Sequence, residues 1–301
     1  MRHGLTTRVS RGAALALAFA MLFAAACACG AQEHAAKGIV TGLDASKRSL
    51  VVSCEAIPGY MDAMQMSFAV RDARVLHAIR LGMTVRFTMV EESHVLYADH
   101  IQASTAADDG AEPMEAGGLT ALEAAMNPAN ATNIVQPGNP VPDFELTDQA
   151  GKTIRLSGLR GKVVVLTFGY SRCPFPQYCL RLSNNLGAVE KRFRARAGRE
   201  LVLITIAIDP DHDQGKVLSE YAASFNADPM DWHFLTGPLP VVKHVAGVFG
   251  TSFWSNDGFL THSLHTAVID RDGRLVANIE GNQFSAQQLG DLVQKVMDRP
   301  Q

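Results

Sequence analysis

The segment Val163–Cys179 reads VVVLTFGYSRCPFPQYC and joins a nearly unbroken apolar run to a loop that contains two cysteines. Such a run, rich in β-branched residues, is typical of a central strand covered on both faces of a sheet. Leu201–Ile208 has the same character. Helical spacing of apolar residues follows each run, in Leu180–Arg196 and Val217–Phe225. The pattern therefore predicts a sheet with helices packed against it.

The C-terminal part of the chain extends this alternation. Thr266–Ile269 and Leu275–Ile279, joined by the turn Asp270–Gly273, are typical of a hairpin. Ala286–Met297 has the spacing of a closing amphipathic helix. The order β-α-β-α-β-β-α predicts an α/β thioredoxin-like domain over residues 141–299.

A different pattern precedes this domain. Short strands separated by turn signals, without a long helix, predict a small closed all-β barrel, OB-like, over residues 37–104. The predicted strands are Ile39–Leu43, Leu50–Ser53, Met66–Val70, Val85–Val90 and Val95–Ile101. Residues 105–140 contain acidic side chains and no Lys or Arg, which indicates a flexible acidic linker with one helical turn near Leu119–Met126.

The N-terminus has the pattern of an export signal. Residues 1–29 contain three arginines and no acid, and the apolar run Gly12–Ala26 is short for a membrane span. The residues before Cys27 resemble a lipoprotein cleavage motif, in which that cysteine receives a lipid and tethers the protein to a membrane. Simple cleavage near Ala28 or Ala31 explains the pattern about as well. Either reading predicts a periplasmic or other extracytoplasmic location.

Composition narrows the classes of function. The chain has 301 residues, a formal net charge of −3, 47% hydrophobic residues and 19% charged residues. These values exclude wholesale disorder, and a mildly acidic body argues against a nucleic-acid partner. Five cysteines are too few for a disulfide scaffold.

Two of these cysteines, Cys173 and Cys179, lie after a predicted central strand and at the start of a predicted helix. The carboxyl ends of strands form sites in α/β sheets, and a helix N-terminus favours the thiolate form of a nearby cysteine. Thiolates are nucleophiles and soft metal ligands. A plain structural disulfide is the alternative explanation of the pair.

A third group, His262, lies just before the strand Thr266–Ile269, where a thioredoxin-like fold brings the chain beside the cysteines. Two thiolates and one imidazole suit Cu(I), and the imidazole also tolerates Cu(II). His265 is the alternative ligand, although in an extended segment the two histidines face opposite sides.

Methionines cluster in the predicted barrel at Met61, Met64 and Met66. Thioethers are soft ligands that do not titrate, and strand spacing points Met64 and Met66 to one side. Cys54 ends the preceding strand. The alternative explanation is that these methionines are flexible core residues.

Residues 141–297 resemble the SCO/SenC family of thioredoxin-like copper chaperones. The matching motifs are Pro142-Asp143-Phe144, Gly161–Val165, Gly169-Tyr170, Cys173-Pro174, Ile208-Asp209-Pro210, Leu235-Thr236-Gly237 and His262-Ser263. The resemblance implies copper ligands at Cys173, Cys179 and His262 and a role in copper insertion into cytochrome c oxidase. Five residues separate the cysteines where the family usually has three, and Leu180 stands where a proline often follows.

Residues 37–102 resemble the small CusF-like barrels that bind copper or silver. Glu55–Phe68 and Leu81–Phe87 carry the match. The resemblance implies metal ligands at Met64 and Met66, with Cys54 near the position of the family's histidine. Met61 stands where some members have a metal-stacking tryptophan.

Together these features predict an exported copper chaperone that captures Cu(I) and delivers it to the copper subunit of cytochrome c oxidase or to another copper-accepting protein. The main alternative is a periplasmic thiol–disulfide oxidoreductase that uses Cys173 and Cys179 as a redox pair. A peroxidase that depends on Cys173 is a weaker third option. A barrel that serves only as a docking module with a methionine-rich core is a further alternative.

Overall fold

The computed structural model describes residues 32–104, 134–175, 177–256 and 258–299. The predicted signal segment with Cys27, and the predicted helical turn at Leu119–Met126, lie outside these residues. Within the described ranges, none of the helices has the length and apolar character needed to cross a bilayer.

The N-terminal unit is a closed five-stranded barrel, which confirms the predicted all-β barrel. Its strands follow in the order β1-β2-β3-β5-β4. Their bounds are β1 Gln32–Asp44, β2 Ser49–Cys54, β3 Met64–Ala69, β4 Thr84–Glu92 and β5 Val95–Ser104, with a short 3-10 helix at Ala73–His77. Alternate residues such as Leu50 and Val52 fill the interior, as strand periodicity requires.

The C-terminal unit is a thioredoxin-like α/β domain, as the sequence predicts. A seven-stranded sheet has the order β14-β13-β8-β9-β10-β6-β7, and a separate hairpin pairs β11 with β12. The strands are β6 Glu145–Asp148, β7 Thr153–Arg155, β8 Val163–Gly169, β9 Leu201–Ala207, β10 Trp232–Thr236, β11 Phe253–Asn256, β12 Phe259–His262, β13 His265–Ile269 and β14 Leu275–Glu280. The helices are α1 Cys179–Arg192, α2 Gly215–Ser224, α3 Leu239–Val248 and α4 Ala286–Met297, with a 3-10 helix at Leu156–Leu159.

The centre of this domain is β8, of which every residue is buried. Val163 and Val165 pack in the same cluster as the apolar faces of α1 and α4. Val164 and Leu166 point to the other face, in the cluster that contains residues of α3. Because successive side chains of a strand alternate between faces, one run of apolar residues supplies both cores.

Several elements differ from the sequence prediction. The strand β10, the helix α3 and the two short hairpins β6–β7 and β11–β12 were not predicted, because each is short and lies in a segment rich in turns. Residues 134–140, assigned by composition to the linker, pack on the C-terminal domain: Val135 is buried and its amide donates to the carbonyl of Val248.

A pair of carboxyl groups lies where α1 meets β10. Asp231 is buried, and its Oδ1 has no hydrogen-bond partner among the described residues. Glu190 accepts a hydrogen bond from the amide of Asp228 at 2.8 Å. Burial, reinforced by the nearby Glu190 carboxyl, raises the pKa of Asp231 well above its ordinary value.

This raised pKa predicts a pH-dependent loss of stability. Above about pH 4, the unfolded chain has lost the Asp231 proton that the native state still holds, so the free energy of unfolding falls as pH rises until the native carboxyl ionises. In Asp231→Asn this contribution disappears. Urea unfolding from about pH 4 to about pH 8 measures the effect.

The exposed substitution Asp211→Asn serves as the matched control and is expected to behave like the parent. Identical pH profiles for the parent and Asp231→Asn would contradict the assignment.

Candidate metal centres

The cysteine loop, defined as Cys173–Cys179, leaves the carboxyl end of β8 and ends at the first residue of α1. Two acidic residues beyond β9 hold the chain that leads into it. Asp213 accepts from the amide of Ser171 at 2.9 Å, and Asp209 accepts from Nε of Arg172 at 3.0 Å. Asp213 is fully buried, and this burial raises its pKa. The start of the loop is therefore fixed by side chains from the segment that follows the neighbouring strand β9.

Cys173 and Cys179 form a disulfide, with their Cα atoms 6.5 Å apart. Cys173 is half-buried, whereas Cys179, the first residue of α1, is 2% exposed and packs in the core cluster that contains Leu166 of β8. The carbonyl of Gln177, inside the loop, accepts a hydrogen bond from Nδ2 of Asn282 at 2.6 Å. The structure therefore brings the two predicted sulfur ligands together in their oxidised form.

The hairpin β11–β12 brings His262 to the disulfide. Its Nε2 lies 3.8 Å from Sγ of Cys179, and its Nδ1 lies 3.0 Å from the carbonyl of Ser263. A carbonyl only accepts, so Nδ1 carries the proton and the Nε2 lone pair faces the sulfur. Burial lowers the pKa of His262 to about 4. The imidazole is thus neutral and oriented for coordination.

His265 occupies a different environment. Its Nδ1 lies 3.3 Å from Oγ1 of Thr251, and Gly250 lies near the Cε1–Nε2 edge of its ring. The structure therefore brings His262, and not His265, to the cysteine loop. The opposite parity of the two histidines agrees with this arrangement.

The donor set fits a soft cation once the disulfide is reduced. In the oxidised form, no three His, Cys, Asp or Glu side chains of the described ranges are arranged around a common metal position. The two sulfurs are bonded to each other. Bonds of about 2.3 Å to sulfur and about 2.0 Å to nitrogen can together span the 3.8 Å between Cys179 and His262.

A second group of soft side chains lies at one end of the barrel. We call this end, formed by the last residues of β2, the loop 55–63 and the first residues of β3, the barrel mouth. Cys54 is paired across the strands with Met64, and Val52 with Met66. Met61 is fixed by a bridge to Ile57. All four predicted barrel residues, Cys54, Met61, Met64 and Met66, therefore belong to one mouth.

Their exposures differ. Met64 is 44% exposed, whereas Cys54 is 1% exposed and belongs to the barrel core. Met61 and Met66 are half-buried and pack against that core. Burial raises the pKa of Cys54 to about 12, so its thiol is neutral and a bound metal has to displace the proton.

Two features of these sites were missed by the sequence reasoning. Asp213 anchors the cysteine loop, and no motif distinguishes it from other acids. His34 stacks on Tyr60 with 3.8 Å between ring centroids and holds the loop next to Met61. His34 and Ala36 lie two residues apart in one strand and therefore face the same side, and Ala36 belongs to the barrel core. This spacing could have identified His34, but the predicted strand began only at Ile39.

Comparison with family models identifies the class of protein to which this chain belongs. Residues 134–298 match the family model SCO1/SenC, and residues 33–102 match the model described as copper binding periplasmic protein CusF. The first match covers more than half of the chain. The chain therefore belongs to the SCO1/SenC family and carries an N-terminal CusF-like domain.

Individual relatives match the C-terminal half. A SCO2-like protein of Rickettsia typhi is 28% identical over 142 residues, which are 44% of this chain and 66% of the relative. The mitochondrial SCO2 homolog of Homo sapiens is 26% identical over 159 residues, 52% of this chain and 59% of the relative. The chain thus spans less than two thirds of the length of these relatives.

Solved structures give similar matches. Arabidopsis thaliana ScoI with copper bound is 23% identical, with a TM-score of 0.47, over 54% of this chain and 100% of that one. Yeast Sco1 with copper bound is 25% identical, with a TM-score of 0.46, over 54% of this chain and 91% of that one.

The different burial of the cysteines predicts an order of reactivity. After reduction, iodoacetamide should modify Cys173 at least about tenfold faster than Cys179, since an opening that costs about 1.4 kcal/mol already slows modification by that factor. Peptide mass spectrometry over a time course measures both rates. Cys54 provides the internal control: it should react only after denaturation. Equal rates at Cys173 and Cys179 would contradict the described burial.

Proposed function

We propose that this protein is a copper chaperone that works outside the cytoplasm. In this proposal the barrel mouth captures Cu(I) through Cys54, Met61, Met64 and Met66. A second site, formed by Cys173, Cys179 and His262, holds copper for delivery to an acceptor protein. Copper is the cargo of both sites, and reduction of the Cys173–Cys179 disulfide precedes loading of the second.

One observation carries the proposal. The neutral imidazole of His262 directs its free Nε2 at Sγ of Cys179, while a backbone carbonyl fixes the other ring nitrogen. A structural disulfide needs no such neighbour. Two sulfurs and one oriented imidazole form a donor set that suits Cu(I) and also accepts Cu(II).

The chemistry of the barrel mouth supports the same cargo. Thioethers are soft ligands whose donor ability does not change with pH, and they bind hard cations such as Mg²⁺ poorly. Met64 lies at the surface, directly across from Cys54. An exposed thioether can receive copper first, while the buried thiol completes the site. Silver shares this preference and is the expected competitor.

The surroundings of the second site fit a protein acceptor. Phe175 of the cysteine loop is 47% exposed, and Leu180 and Phe259 from the flanking elements are also exposed. Exposed apolar side chains around a site are typical of a docking surface. The resemblance to the SCO/SenC family points to the copper subunit of cytochrome c oxidase as the acceptor.

The copper stoichiometry tests this proposal. The reduced, signal-free protein is titrated with Cu(I) against a competing chelator, beside Cys173→Ala/Cys179→Ala and Met64→Ala/Met66→Ala. Two tight equivalents in the parent and one in each double variant are expected, because each variant removes two ligands from one site. His262→Ala should weaken the second site, whereas the control His265→Ala should not.

Unchanged stoichiometry in Cys173→Ala/Cys179→Ala would overturn the second site, and unchanged stoichiometry in the methionine variant would overturn the barrel site.

The disulfide itself favours a second candidate function. Because Cys173 and Cys179 bond to each other, the pair could serve a thiol–disulfide oxidoreductase. Such an enzyme requires the two sulfurs and no imidazole ligand. Turnover of a disulfide substrate that survives His262→Ala, together with no tight copper at the cysteines, would favour the enzyme.

A further inference from the structure

The barrel is docked on the C-terminal domain through apolar contacts. Ile39 of β1 points away from the barrel interior and is buried in the same cluster as Ala277 and Ile279 of β14. Its neighbour Val40 points into the barrel core. One strand therefore contributes to both domains, because its successive side chains face opposite sides.

Close approach at Gly82 brings the two domains into contact. A Cβ at this position would lie 2.3 Å from Cβ of Ala277, a distance that real Cβ atoms do not reach. Gly82 also has a positive φ of 80°. A side chain here would therefore push the barrel away from β14.

A buried polar network lies in the same interface. Oγ of Ser53 donates to Oδ2 of Asp291 at 2.7 Å, and the other carboxylate oxygen accepts from Nη2 of Arg192 at 2.8 Å. Ser53 and Asp291 are both buried. Burying a carboxylate costs free energy unless its hydrogen-bond partners are present. Because one partner of Asp291 is Ser53 of the barrel, this network fixes one orientation of the barrel.

One short segment forms hydrogen bonds to the backbone beside both candidate metal centres. We call Asn282–Gln288 the bridging segment. At one end Asn282 donates to the carbonyl of Gln177, inside the cysteine loop. At the other end Nε2 of Gln288 donates to the carbonyl of Ser53 at 3.1 Å, and Nε2 of Gln287 to that of Ala63 at 3.0 Å.

These two acceptors immediately precede Cys54 and Met64, respectively. The segment therefore positions the backbone of the cysteine loop and the backbone of the barrel mouth together.

A cavity of about 380 Å³ lies between the domains at this segment. Cys54 and Glu55 line it from the barrel, and Gln283 lines it from the bridging segment. Arg181, two residues beyond Cys179, lines it from α1. The barrel mouth and the first turn of α1 thus open onto one space.

We propose that copper passes from the barrel mouth to the cysteine site within one chain, in this docked arrangement, and that the bridging segment and the Gly82 contact set the positions of the two sites. This inference rests on the proposed function. It goes further in assigning the barrel a fixed partner surface, made of β14, α4 and the bridging segment.

The handover is a ligand exchange in which copper stays Cu(I). The imidazole of His262 and the thiolates of Cys173 and Cys179 replace the Cys54 thiolate and the thioether ligands of the barrel. The two receiving thiols release their protons to water, and Cys54 takes one back. The Cys173–Cys179 disulfide has been reduced beforehand by a thiol or phosphine reductant, so the transfer itself moves no electrons.

The test uses the full reduced chain with limiting Cu(I) supplied from a chelator. Stopped-flow absorption of the copper–thiolate bond follows filling of the cysteine site, after subtraction of the signal from Cys173→Ala/Cys179→Ala. Gly82→Ala is designed to separate the domains, and Gly151→Ala is the matched control. Gly151 has nearly the same φ, 81°, but an added Cβ there would meet no atom within 4 Å. Both variants therefore place an alanine at a positive φ, and only Gly82→Ala adds a clash with Ala277.

Small-angle scattering reports docking independently. Gly82→Ala is expected to increase the radius of gyration and to slow filling on the order of tenfold, to the rate of Met64→Ala/Met66→Ala, because the fixed arrangement of donor and receiver is lost. Its barrel affinity should stay at the parental value. Gly151→Ala should match the parent in both measurements.

If Gly82→Ala undocks the barrel and filling keeps its parental rate, the docked handover is wrong while the two copper sites stand. If Met64→Ala/Met66→Ala binds as much copper as the parent, the barrel site is wrong, and the proposed function fails independently of the handover. Ile39→Glu, which places a charge in the apolar contact, gives a second way to separate the domains should Gly82→Ala remain docked. If Ile39→Glu is undocked and its cysteine site still fills at the parental rate, the docked handover is equally wrong.

Discussion

The hydrogen-bonded pairing of β8 with β13 on one side and β9 on the other determines where every group of the cysteine site lies. Thr266 pairs with Thr167, so β13 begins beside the point where β8 ends. His262 therefore reaches Cys179 although 83 residues separate them. The strand β9 ends at the same edge, and the segment that follows it supplies Asp209 and Asp213. A shift of one residue in either pairing would move the segments that carry these side chains relative to the cysteine loop.

The two candidate centres differ in how they respond to their surroundings. The methionine thioethers at the barrel mouth neither titrate nor form disulfides, so their ability to donate to a metal does not change with pH. The cysteine site is available to a metal only after its disulfide is reduced, and its histidine is kept neutral by burial. In the proposed chaperone, capture therefore depends little on redox conditions, whereas loading of the delivery site depends on them directly.

Long periodic segments allowed much of the fold to be predicted from sequence. The helix Ala286–Met297 has the bounds that its apolar spacing predicts, and the run Val163–Phe168 lies in β8. The short elements β10 and α3 were missed because their signals are brief and flanked by turns. The docking of the barrel could not be predicted, since the hydrogen bond between Ser53 and Asp291 joins residues 238 positions apart. Periodicity reports which face of an element is buried, and not what covers it.

The burial of Cys54 also bears on how the disulfide forms. The described residues contain three cysteines, which allow three different pairings. A thiol exchanges with a disulfide only as an accessible thiolate, and Cys54 is neither accessible nor ionised at neutral pH. Once the barrel has folded, Cys54 is removed from the competition and, among these three, Cys173 can pair only with Cys179. Folding of one domain thus ensures correct oxidation of the other, without any contact between their sulfurs.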